Sequence, residues 1–71
     1  MSNFEKLLNY KNKNVNIFAN AILTFKDSQG FYSRLFRSIC EQDDIELNNL
    51  IEILKKQNFS DTLDVVMWLE T

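Results

Sequence analysis

The chain has 71 residues, 10 of them Asp or Glu and 8 Lys or Arg, for a formal net charge of -2, with 45% hydrophobic residues, one cysteine and no histidine. Such a length allows one domain, residues 1–71, with a small core, and the hydrophobic fraction speaks against intrinsic disorder. Without histidine the commonest general base, the Ser-His and Cys-His nucleophile pairs and the commonest neutral metal ligand are missing. A lone thiol closes neither an internal disulfide nor a cysteine-rich metal cage, and an acidic balance offers no footprint for nucleic acid or an anionic membrane.

The opening residues, MSNFEKLLNYKNKN, interrupt their apolar positions with charge and amide. Neither a signal-peptide core nor a membrane span is expected, and a cytoplasmic location follows. Asn, Lys, Ile and Phe recur, as in residues 11–16 (KNKNVN). Their AT-rich codons point to a low-GC bacterium, or to a phage or plasmid living in one.

With no proline and one glycine, and no low-complexity linker or repeat, helices joined by short turns are expected. Phe4, Leu8, Val15, Phe18, Ile22 and Phe25 share a face if residues 3–26 form one helix, with Leu7 beside them. Asn9, Asn12, Asn14 and Asn16 are poor helix formers and good caps. A break near residues 12–14, with Asn14 capping a helix from about Val15 to Lys26, stands equally with the continuous helix.

Residues 27–30 (DSQG) form the clearest turn, Gly30 being the residue able to take a left-handed conformation. The next segment, FYSRLFRSIC (residues 31–40), is the most segregated in the chain. At about 100° per residue, Phe31, Tyr32, Leu35, Phe36, Ile39 and Cys40 fill roughly half of the wheel. Ser33, Ser38, Glu41 and both arginines, Arg34 and Arg37, fill the rest. An apolar arc this wide predicts the central helix of a bundle, with Cys40 packed as a small hydrophobe.

Asp43 and Glu46 make a D-x-x-E capping box, opening a helix with a seam of Leu47, Leu50, Ile51 and Leu54. Lys55 and Lys56 lie in its last turn, where cations suit the helix dipole, and Ile45 and Ile53 point off the seam. Ser60 or Asp61 caps the final element, whose VVMWL run (residues 65–69) reads as helix because a lone strand would lack a partner. That helix is apolar on nearly all sides, so it is enclosed by the bundle or covered by another molecule.

The acidic groups Glu41, Asp43, Asp44, Glu46, Asp61 and Asp64 match neither a glycosidase pair nor a calcium loop; helix capping explains them. No catalytic, cofactor-binding or metal-ligating residue is assigned, and no enzyme activity is expected. The expected architecture is all-α, a small single-domain bundle of four or five short helices. Its expected role is non-enzymatic protein binding, as in a phage or mobile-element accessory protein that modulates a host protein, with homodimerisation a further expectation. Trp, Tyr and Arg dominate interface hot spots, so Trp68, Tyr10, Arg34 and Arg37 are the candidate partner contacts. The alternative is a dimeric helix-turn-helix-like DNA-binding regulator, with the turn at Gly30 and Arg34 and Arg37 on the recognition helix. Lys26 stands where that motif has a small buried residue, Glu41 can neutralise Arg37, and two arginines offer few phosphate contacts.

Overall fold

The computed structural model describes residues 2–71. Among them are five helices and no strand: α1 (Asn3–Leu8), α2 (Lys13–Phe25), α3 (Gly30–Cys40), α4 (Asp44–Lys55) and α5 (Thr62–Glu70). The small all-α bundle is the expected one, and residues 3–26 resolve into two helices. Asn12, not Asn14, supplies the break: in extended backbone, its side chain accepts from the Asn14 and Val15 amides, satisfying two N–H groups that a helix start leaves open.

The other starts follow the same chemistry. Asp43 and Glu46 form the predicted capping box, and Asp61 rather than Ser60 caps α5 through the Asp64 amide. Ser2 and Glu5 make a second box at α1, and these Ser2 hydrogen bonds hold the Glu5 carboxyl below its usual range. Helix α3 alone has no side-chain cap at its start, where Gln29 is the boundary residue.

Helix ends depart from expectation. No residue among those described has positive φ, and Gly30 is the first residue of α3 rather than a left-handed terminator. The chain leaves α2 through a right-handed turn, with the Ser28 and Gln29 amides donating to the Phe25 carbonyl, then extends at Gln29. Without left-handed caps, the carbonyls at the helix ends need other donors. Three asparagines supply them. The Asn16 Nδ2 donates to the carbonyls of Leu7, Leu8 and Tyr10 at the end of α1, and that of Asn3 to Ile39, Cys40 and Gln42 at the end of α3. The Asn14 Nδ2 donates to Lys55 and Gln57 at the end of α4, while its Oδ1 accepts from the Phe59 amide.

The central helix is α2, not α3. It packs on each of the other four and buries Val15, Phe18, Ala19, Ala21 and Ile22, whereas α3 buries only Tyr32 and Ile39. Ala19 and Ala21 flank the stripe of Val15, Phe18 and Ile22 on its two sides and let neighbours approach across a wider arc of α2, while the arginine face of α3 keeps one whole side in water. Elsewhere the core takes Phe4 and Leu7 from α1, Leu47, Ile51 and Leu54 from α4, Phe59 from the α4–α5 loop, and Val65 from α5. The Phe4 and Phe36 rings stack at 4.4 Å, fixing α1 against α3. Breaking the helix at Asn12 also resets its phase, so Leu7 goes fully inside and Leu8 to the surface.

Candidate partner-binding surface

Arg34 and Arg37 stand one turn apart on the exposed side of α3. The ion pairs among the described residues are Lys6 with Asp44, Lys26 with Asp27 and Lys55 with Glu52. Neither arginine takes part. Glu41 lines the same shallow depression as Arg34, Arg37 and Ser38, yet makes no ion pair with Arg37. Both guanidinium groups therefore keep their fork of donors open.

On one flank of Arg37 lies a groove of about 230 Å³, lined by Lys26, Asp27, Ser33, Phe36, Arg37 and Cys40. The Lys26 ammonium sits 5.2 Å from the centroid of the Phe36 ring and 3.1 Å from an Asp27 oxygen. An apolar floor with cations at its rim suits an acidic or aromatic side chain of another protein. Cys40 is exposed on this groove rather than packed in the core. Its position at the edge of the α3 arc, about 80° from Tyr32 and about 100° from Ile39, explains the difference. Partial desolvation of the thiol and the charge of Glu41 push its pKa up, so little thiolate forms at neutral pH.

Tyr10 and Trp68 lie elsewhere. Tyr10, half-buried in the α1–α2 linker, stands beside Lys55; the Glu52 hydrogen bond and charge, then Tyr10, raise the Lys55 pKa. Trp68 is half-buried, edge-on to Phe18 at 6.3 Å and to Phe59 at 5.6 Å. Arg37 shares its groove with Lys26 at the end of α2, while Tyr10 precedes its start, so α2, about 20 Å long, separates them. The four candidate contacts do not form one patch.

Two surface features escape the linear sequence. The Asn14 bond to the Lys55 carbonyl brings Lys11 and Lys13 to the end of the molecule that carries Lys55 and Lys56; no local pattern links residues this far apart. The second is apolar: Leu63 and Met67 on α5 are 61% and 58% exposed, and Phe31 on α3 is 49% exposed. Helix α5 is thus apolar on more than one side but not enclosed by the bundle, since Val65 faces the core while Leu63 and Met67 face solvent.

Among the described residues no group of three or more His, Cys, Asp or Glu is placed to hold a metal ion, and no helix is long and apolar enough to cross a membrane. No protein-family model matches the chain, and comparison with curated proteins and with solved structures finds no significant match.

Proposed function

We propose that this protein is a non-enzymatic, cytoplasmic protein-binding module that engages an acidic surface of its partner through Arg34 and Arg37. The observation that carries this reading is the pair of unpaired, exposed guanidinium groups in a chain with more acids than bases. Carboxylates are abundant, yet none neutralises them. Arginine donates to carboxylates in bidentate geometry and loses less hydration than lysine on doing so, and it is among the residues that dominate interface energetics. The groove beside Phe36 adds an apolar contact at the same place. A small domain of this kind, with a low-GC composition, suits a phage or mobile-element accessory protein that binds and modulates a host protein.

The test is capture of partners from the native host with wild-type protein, with Arg34→Ala/Arg37→Ala, and with Lys11→Ala/Lys13→Ala as a charge-matched control. The double arginine variant is expected to lose its partner while the lysine variant keeps it, both retaining wild-type circular dichroism. Retention of every partner by the folded arginine variant would refute the assignment.

One observation favours a second reading, the DNA-binding regulator. Glu41 leaves Arg37 free, so both arginines are open to phosphate. Fluorescence anisotropy with duplex DNA between about 50 and 200 mM salt separates the two, because phosphate-driven binding falls steeply over that range. Absence of binding at the low-salt end removes the DNA reading.

A further inference from the structure

The end of α5 meets the start of α3 at a groove of about 270 Å³, lined by Gln29, Phe31, Tyr32, Leu69 and Glu70. Its polar groups are unused. Tyr32 is only 5% exposed, and a phenol buried this far ordinarily has a hydrogen-bond partner, yet its hydroxyl bonds to no described residue. The one enclosed side-chain polar atom without a partner among the described residues is Gln42 Oε1, so the Tyr32 oxygen opens to solvent through the groove it lines. Glu70 joins none of the ion pairs among the described residues. Burial, and then the charge of Glu70, hold the Tyr32 phenol above its usual range, which places the carboxylate within electrostatic reach of the hydroxyl.

We infer that this groove binds a primary ammonium group carried on an aliphatic stem, with the Glu70 carboxylate as its counter-charge. An ammonium has three donors and no acceptor, and the side chains of Glu70, Tyr32 and Gln29 each bring an oxygen to the groove. The Phe31 and Tyr32 rings, 5.3 Å apart and at 85° to one another, form two walls of a corner whose faces attract a cation. With Leu69 they also supply the apolar surface along which a hydrocarbon stem lies.

The local charges favour a cation. Glu70 is the one charged residue lining the groove. The positive start of α3 and the negative end of α5 meet there and offset one another. Arg34, whose Nη1 lies 3.4 Å from the position of a Cβ on Gly30, is not part of the lining and makes no ion pair with Glu70. The groove is smaller than a typical small-molecule pocket, which suits a stem of a few carbons. With its carboxylate exposed, the site is weak, with a dissociation constant of about 1–10 mM. Neither Arg34 nor Arg37 lines it, so it stands or falls independently of the proposed partner site.

Lysine side chains and free alkylamines share this chemistry. Titration of the isotope-labelled chain with n-butylammonium, Nα-acetyl-lysine methylamide, 1-butanol and butyrate, followed by amide chemical shifts at neutral pH and constant ionic strength, provides the test. Both ammonium compounds are expected to give saturable shifts centred on Gln29, Phe31, Tyr32, Leu69 and Glu70. Tighter binding of the blocked lysine assigns the groove to protein side chains, and tighter binding of butylammonium assigns it to free amines. Butanol is expected to bind at least about fivefold more weakly, and butyrate not at all. Glu70→Gln, which keeps the shape and removes the charge, is expected to weaken ammonium binding at least about fivefold, and Tyr32→Phe about threefold. Glu52→Gln, at the far end of α2, should leave binding unchanged. The ligand series requires no variant. Absence of saturable shifts at these residues with either amine up to about 50 mM, butanol binding as tightly as butylammonium, or undiminished binding by folded Glu70→Gln or Tyr32→Phe would each overturn the inference.

Discussion

The side-chain amide of Asn14 donates to the main-chain carbonyl of Gln57 at 2.7 Å, across 43 positions of sequence. With its oxygen accepting from the Phe59 amide at 3.0 Å, the same side chain ties α2 to the loop that turns α4 into α5. Both of its polar atoms are used. Asn14→Asp keeps the shape and the acceptor but loses the donor, turning a carboxylate oxygen toward the Gln57 carbonyl. The expected loss is about 2–3 kcal/mol, and Asn14→Ala should cost somewhat less. Urea unfolding at neutral pH measures both; equal stability of wild type and Asn14→Asp would show that the amide is not a structural tie.

The central place of α2 predicts unequal sensitivity among the phenylalanines. Phe18 is buried in the middle of α2 against Trp68, so Phe18→Ala should cost about 3–5 kcal/mol, a large part of the stability of any domain of this size. Phe31→Ala, in the segment with the strongest apolar segregation, should cost under about 1 kcal/mol because half of that ring is already in water. Thermal unfolding of the two variants would reverse this order if α3 were the true centre.

Gly30 occupies the first position of α3 with negative φ, so its special freedom is unused. A Cβ there would meet only the Nη1 of Arg34, at 3.4 Å and at the end of a flexible side chain. Gly30→Ala should stabilise by about 0.5 kcal/mol, mainly by restricting the unfolded chain. A rise in Tm of about 2–4 °C is the corresponding signal; a fall would mean that the turn needs glycine after all.

Exposure and reactivity diverge at Cys40. The thiol is accessible, but desolvation and then the Glu41 charge disfavour its ionised form. Since the pKa is raised, the reactive thiolate is scarcer at neutral pH than in an ordinary cysteine and grows in only at higher pH. Iodoacetamide should therefore modify Cys40 completely but slowly near pH 7, and Glu41→Gln should move the rate profile to lower pH. Alkylation at pH 7 faster than that of a small-molecule thiol would contradict this.

The features legible in the sequence are those set within one or two helical turns. The capping box of Asp43 and Glu46 and the seam of Leu47, Ile51 and Leu54 depend only on neighbours three or four positions apart, so the helical period reveals them. The same holds for the Asp61 cap and for the pairing of Arg34 with Arg37 on one face. Asn12 belongs here too: a side chain that can accept from the next turn's amides was visible, although its neighbour Asn14 competed for the role. Periodicity also marks α3 as strongly two-faced.

Tertiary structure decided everything that depends on what lies opposite a face. A helical wheel shows that α3 has an apolar side but not how many neighbours it meets, and α2 became central because Ala19 and Ala21 admit close packing where the wheel shows only small residues. Asn14 and Asn16 looked like local caps or breaks, yet each satisfies the open carbonyls of another helix, as does Asn3. The exposure of Cys40, and that of Leu63, Met67 and Phe31, arise in the same way. Local chemistry selects helices and their ends from the chain itself, whereas burial and long-range hydrogen bonds exist only once separate segments meet.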